Sequence, residues 1–222
     1  MIKILFSLII AVLPLFQVVG QIAVHAGATF TKWNCEQTDF RSGFVAGVAW
    51  HLQNESSPLF GQVNLDFTQK GANLNTHDEH GDIIKMGVNT YLVHVPVFVG
   101  YKIPIFNHMQ INPKVGLYAD YGLWGKISDK GYSLRSDILI EKDGKNPYSD
   151  LSQYGYSDFS RFDAGYNVGA NFVFPNWLPA GDMYIELNGF FGFMDMYDGD
   201  SWKLEGAKNR SFQVSFGFVF NK

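Results

Sequence analysis

Residues 162–174 read FDAGYNVGANFVF. In an extended chain, successive side chains point to opposite faces. Phe162, Ala164, Tyr166, Val168, Ala170, Phe172 and Phe174 then share one face, and Asp163, Gly165, Asn167, Gly169 and Asn171 share the other. A helix, with its period of 3.6 residues, would scatter both sets around its circumference. The stretch is therefore a strand with one bulky apolar face and one face that is polar or lacks side chains.

The same pattern recurs along the chain. Alternation and bounding turn residues predict eight strands, at about 23–32, 43–52, 59–69, 87–102, 111–125, 161–174, 183–193 and 209–220. The last is the clearest: Phe212, Val214, Phe216, Phe218 and Phe220 oppose Ser211, Gln213, Ser215 and Gly217. In the third, Leu59, Val63, Leu65 and Phe67 oppose Gln62, Asn64, Asp66 and Thr68. In the fifth, Gly116, Tyr118, Asp120, Gly122 and Trp124 fall together on the polar face.

The polar faces decide which way the strands look. A water-soluble barrel turns its charges outward, but here the alternate faces carry mostly Gly, Ser, Asn, Gln and Asp, with few Lys or Glu. Such small residues fit a narrow interior, and the Phe, Leu and Val faces fit lipid. An open sheet edge in hydrocarbon would leave backbone groups unpaired, so the sheet must close. The expected fold is all-β: an eight-stranded antiparallel transmembrane up-and-down β-barrel.

Composition agrees. Aromatic residues make up 16% of the 222 residues and charged residues only 17%, below the roughly 25% charged content of soluble domains. Mean hydropathy is nevertheless -0.05, so the apolar residues are spread along the chain. The first twenty residues, MIKILFSLIIAVLPLFQVVG, place Lys3 before an apolar run and small residues near its end. This predicts a signal peptide over 1–20 and a barrel domain over 21–222. Losing Lys3 moves the formal net charge from -4 to -5, which argues against a nucleic-acid partner. Cys35 is the sole cysteine, so no internal disulfide forms.

The connections are expected to alternate in length, with longer links at about 33–42, 70–86, 126–160 and 194–208 and shorter turns at 53–58, 103–110 and 175–182. Bacterial outer-membrane barrels have short periplasmic turns and longer outer loops. The expected location is thus the cell outer membrane, with outer-membrane lipid as partner. Pro96 interrupts YLVHVPVFVGYK and predicts a bulge or distorted register.

In this order and spacing, the stretches AGATFTKW, SGFVAGVAW, VNLDFTQKGANL, YLVHVPVFVGYK, KVGLYADYGLW and FDAGYNVGANF resemble the PorT-like outer-membrane beta-barrel family of Bacteroidetes. The resemblance spans essentially all of the mature chain and implies an outer-membrane barrel. It departs from the family pattern at Phe67 and at His94, where an acidic residue is usual.

No HExxH, CxxC, Gly-x-Ser-x-Gly, Walker or dinucleotide motif is present, and no catalytic, cofactor or metal site is assigned. Alternation turns His25, His51, Asp66, His94, Asp120, Asp163 and Glu186 inward. These are read as an internal polar network comprising Asp66, His94, Asp120, Asp163, Asn167, Glu186 and Gln213, with Tyr118 and Tyr184 nearby. A His beside a carboxylate also admits a proton-linked or catalytic alternative, with His94 and one inward carboxylate as its pair. Inward cations are scarce, because Lys114 and Arg210 lie near strand ends. HDEHGD at 77–82 is read as a solvated loop, with a metal site as its alternative. Loops 70–86 and 126–160 offer contact for a protein or glycan, the latter through Tyr148, Tyr154 and Tyr156. The role implied is structural or surface interaction, with a narrow channel for small solutes or a lumen-based or loop-based enzyme as alternatives.

Overall fold

The computed structural model describes residues 19–35, 38–53, 57–77, 83–106, 108–129, 160–196 and 206–220. They form ten strands: β1 (Val19–Trp33), β2 (Thr38–Asp39), β3 (Arg41–Gln53), β4 (Leu59–His77), β5 (Ile83–Tyr101), β6 (Ile103–Phe106), β7 (Met109–Asp129), β8 (Phe162–Leu178), β9 (Gly181–Asp195) and β10 (Lys208–Phe220). The antiparallel order β4-β3-β1-β10-β9-β8-β7-β5 closes on itself through the β4–β5 pairing. The fold is thus the eight-stranded barrel expected, with β2 and β6 as short additions that pair β4 and β7. Closure leaves none of the eight main strands as an edge, which is what hydrocarbon surroundings require.

The register shows how the barrel staggers. Register partners run from Tyr184 on β9 through Gly217, His25, Gly47, Asp66, His94 and Asp120 to Asp163 on β8. Extending the β8–β9 register two residues past Gly165↔Gly192 puts Asp163 level with Met194. The row therefore returns to β9 ten residues from its start, from 184 to 194. This stagger is the shear of a tilted, closed sheet.

The opening strand behaves as its sequence demands. Phe162, Tyr166 and Val168 are exposed, whereas Asp163, Asn167 and Asn171 are buried. Phe212, Phe216 and Phe220 of β10 are exposed in the same way, with Ser211, Gln213 and Ser215 buried. The interior is polar and the exterior apolar, the inverse of a soluble domain.

Several expectations need correction. The expected loop at 70–86 is largely strand, since β4 and β5 pair as far as His77↔Ile83. The link between them is only 78–82, no longer than the 54–58 link, so link lengths do not alternate throughout. HDEHGD lies outside the described residues except for His77, as do Tyr148, Tyr154 and Tyr156. The turn expected at 103–110 contains β6, and β8 runs through Pro175 to Leu178, leaving only Pro179 and Ala180 as its turn. Asn176 takes a positive φ of 56°, and its N–H donates to Asp182 Oδ1 at 2.8 Å.

Pro96 causes no register shift. The β4–β5 ladder omits the partners of Pro96 and Val95, yet resumes in the same register from Val63↔Val97 to Asp66↔His94, because proline removes only a donor. The real irregularity lies nearby: Tyr91 faces Trp124 while Leu92 faces Gly122, so Leu123 is an extra residue on β7. That bulge reverses parity beyond it. Trp124, expected inside, is exposed outside, and stacks on Tyr91 with ring centroids 5.2 Å apart. The leader expected at 1–20 lies outside the described residues except for Val19 and Gly20, which begin β1.

Candidate functional site: a charged lumen

Inside the barrel the ionisable groups form two layers joined by the register row. Nearer the short-turn end, Lys114 on β7 and Glu186 on β9 pair with no side-chain exposure. Lys114 Nζ also donates to Gln62 Oε1 at 3.1 Å, and Gln62 Nε2 donates to Glu186 Oε1 at 3.1 Å and Asn64 Oδ1 at 2.9 Å. Asn171 Nδ2 donates to Gln62 Oε1 at 3.0 Å, and Gln213 reaches Glu186 through Ser215. Lys114 Nζ lies 3.9 Å from the Phe98 ring centroid. One ion pair thus joins β7 to β9 and is tied by neutral amides and a hydroxyl to three further strands, β4, β8 and β10.

Nearer the other end, Lys70 Nζ donates to Asp120 Oδ2 at 2.6 Å. Asp120 also contacts His94 Nδ1 through its second oxygen. Tyr118 OH donates to Asp163 Oδ2 at 3.0 Å, and Asn209 Nδ2 reaches the same oxygen at 3.3 Å. His94 packs edge-on against Phe190, with centroids 4.6 Å apart, and Tyr118 meets Phe190 at 5.5 Å. Above this layer is a cavity with about 10 Å³ of space for a water centre, lined in part by Lys70, Asp120, Arg161, Asp163, Met196 and Asn209. That is room for on the order of one water molecule.

Between the layers, His25 Nε2 stands 3.0 Å from Asp66 Oδ1. The contact is not aligned as a hydrogen bond, and both atoms are without such a partner. His25 has glycine on either side in the register, Gly47 and Gly217. A Cβ on Gly47 would lie 2.1 Å from Asp66 Oδ1, and one on Gly217 would lie 2.1 Å from the Tyr184 ring. These glycines let a narrow barrel hold rings and carboxylates at one level.

All seven residues expected in the polar network lie inside, but they do not form one connected set. Glu186 and Gln213 belong to the first layer, and His94, Asp120 and Asp163 to the second. Asp66 meets His25, and Asn167 donates to the Leu117 carbonyl. Sequence reasoning missed the two inward lysines. Lys70 shares the parity of Asp66 and Thr68, so one more residue of β4 would have revealed it. Lys114 shares the parity of Tyr118 and Asp120, but was set aside as too near a strand end.

The catalytic alternative required His94 near a carboxylate, and His94 is the register partner of both Asp66 and Asp120. The pair is nevertheless enclosed by Lys70, Tyr118 and Phe190, and His94 has no exposure. Among the described residues, no group of three or more His, Cys, Asp or Glu could hold a metal ion.

Residues 16–196 match the family model described as outer membrane protein beta-barrel domain. The chain belongs to this family. It is a small integral barrel of the outer membrane. Among solved structures, this outer-membrane barrel is similar to OprG from Pseudomonas aeruginosa, with 10% identity, 91% of this chain and 96% of that chain covered, and a TM-score of 0.49. It is also similar to Ail, the attachment invasion locus protein of Yersinia pestis, in complex with the heparin analogue sucrose octasulfate, with 13% identity, coverage of 90% and 99%, and a TM-score of 0.43. A third is Neisserial surface protein A, with 13% identity, coverage of 90% and 97%, and a TM-score of 0.40. No curated protein matches the chain.

Proposed function

We propose that this barrel is a closed scaffold whose role is structural or interactive at the cell surface, not a conduit. The observation that carries this reading is the filled lumen. Lys114, Glu186 and their amide partners occupy one layer, and His94, Tyr118 and Phe190 occupy the next. An eight-stranded barrel is only wide enough for side chains to fill. A channel would need continuous water past both layers. Planar-bilayer recordings of the refolded protein test the difference: the expected result is no persistent conductance, and a steady solute-dependent current overturns the proposal.

The finer parts of the reading rest on sequence. Lys3 and the apolar run support export by a leader over 1–20, and N-terminal sequencing of the membrane-extracted protein should begin at Gln21. The ordered stretches from AGATFTKW to FDAGYNVGANF support the PorT-like assignment. The long 126–160 segment, with Tyr148, Tyr154 and Tyr156, supports contact with a protein or glycan at the surface. Replacing those tyrosines together with serine should abolish such contact and leave the heat-modifiable folded band unchanged.

A further inference from the structure

The outer wall changes character abruptly where β1 meets β10. The outward positions of β1 are Ile22, Val24, Ala26, Ala28, Phe30 and then Lys32, and those of β10, followed in the same direction, are Phe220, Phe218, Phe216, Val214, Phe212 and then Arg210. From Ile22 to Lys32 the strand runs about 33 Å at roughly 3.3 Å per residue, and a tilt of about 40° reduces that to about 25 Å along the barrel axis. The apolar band of an outer-membrane barrel is about 25 Å tall. Lys32 and Arg210 therefore stand at its border, and they are register partners. The end they occupy carries the long 130–161 and 196–207 connections, which places it at the outer leaflet.

Like charges directly opposite one another destabilise a sheet. Aromatic rings attend both cations: Lys32 Nζ lies 5.1 Å from the Phe40 centroid, and Arg210 Cζ lies 5.2 Å from the Phe191 centroid. Among the described residues, the four ion pairs all lie in the lumen, and none uses Lys32 or Arg210. Asp195 is the register partner of Lys208, and Asp39 lies at the end of β2. Among the described residues the pair thus has no ion-paired acid, at the level where lipid headgroups lie and directly above a wall suited to acyl chains.

We propose that Lys32 and Arg210 form a two-point site for the phosphate of an outer-leaflet lipid, with its acyl chains against Phe30, Phe212 and Phe216. Register partners have Cα atoms about 4.5–5.5 Å apart, so one phosphate spans both side chains. The guanidinium offers a planar fork that matches phosphate oxygens, and the ammonium adds a point charge. The anion removes the repulsion between the two cations, while the chains cover the apolar wall.

The test is native mass spectrometry of the full barrel in a neutral detergent, with lipid A, the same glycolipid stripped of phosphate, and inorganic phosphate as probes. The wild type should retain lipid A at least tenfold more tightly than Lys32→Gln/Arg210→Gln, and Lys102→Gln at the opposite end should match the wild type. The stripped lipid should bind the wild type no better than lipid A binds the double variant, and equimolar inorganic phosphate should not displace lipid A. Equal retention by the folded wild type and double variant overturns the site. So does equal binding of the stripped lipid, and so does displacement by free phosphate, which would make the site one for the ion alone. Lys32→Glu supplies an independent reading, because it sets a carboxylate opposite Arg210. It should raise the melting temperature in phosphate-free detergent and abolish lipid A retention; a fall in melting temperature contradicts the repulsion on which the proposal rests.

Discussion

The inner and outer walls of this barrel handle cations in opposite ways. Inside, Lys70 and Lys114 each meet a carboxylate on another strand, Asp120 and Glu186. Outside, Lys32 and Arg210 face each other over aromatic rings, and among the described residues no carboxylate pairs with either. Charge sealed from water must be compensated within the chain, because an uncompensated buried ion is costly. Charge at a membrane border can be compensated by the surroundings. The same residue types therefore report different things on the two walls: internal ties on one, a boundary on the other.

The comparison breaks most readily at Lys114. Lys114→Met leaves Glu186 buried with only neutral donors, and should cost about 3–5 kcal/mol, measured by urea titration of the barrel refolded into vesicles. Lys114→Met/Glu186→Leu should recover much of that loss, since replacing both members of a buried pair is often near neutral. If the single and double variants lose the same stability, the pair is not the unit that holds this layer. Lys70→Met should cost less than Lys114→Met, because Asp120 keeps its contact with His94.

The outer wall gives the next largest effect. Val168 is 43% exposed on β8, and its neighbour Asn167 is buried. Val168→Lys should cost about 2–4 kcal/mol if it lies near the bilayer midplane. Asn167→Lys should act through crowding and lumen polarity, and so depend less on the surrounding lipid. Refolding both variants in vesicles and in a loosely packing detergent separates the walls: a Val168 variant no more lipid-dependent than the Asn167 variant would remove this strand from the membrane or reverse its faces.

A third test strikes the row that joins the two lumen layers. A Cβ at Gly47 would stand 2.1 Å from Asp66 Oδ1 and 2.6 Å from the Leu65 carbonyl oxygen. Because one of those atoms is backbone, Gly47→Ala must move β3 against β4, at a cost of about 1–3 kcal/mol for overpacking. Gly61→Ala, whose added Cβ would lie no closer than 3.6 Å to a neighbouring atom, is the control and should change little. Equal denaturation midpoints for the two would show that the interior has slack.

The faces of the strands were legible in the sequence because period-2 alternation is a local property and each residue carries its own share of it. The Tyr184–His25–Asp66–His94–Asp120–Asp163 row was not, since it depends on seven registers and a ten-residue stagger that alternation leaves open. The inward lysines were hidden for a different reason. Polarity marks where a strand leaves the membrane, but β4 continues to His77 as a paired strand, so Lys70 looked like the start of a loop. Pro96 misled in the other direction: a missing donor removes ladder pairs without inserting a residue. The bulge at Leu123 carries no such signal, because an extra residue in GLWG looks like any other.

That bulge supports the finest test of the two walls. Strict alternation puts Trp124 in the lumen with Asp120, but the inserted Leu123 turns it outward, where Tyr91 lies 5.2 Å and Phe67 5.6 Å away between ring centroids. Phe44 extends the group, 5.8 Å from Phe67. Aromatic pairs of this kind contribute about 0.5–1.5 kcal/mol each beyond their buried area, so Trp124→Leu should lower stability by roughly that amount per lost pair. Stability alone does not fix the side, because an inward Trp would also be missed. Brominated lipid does fix it, since bromine quenches only indoles that touch the acyl or interfacial region. The wild type should lose more emission in brominated vesicles than Trp124→Phe, with the difference assigned to Trp124. If both lose the same fraction, Trp124 is not on the lipid wall, and the parity reversal at Leu123 does not occur in the membrane.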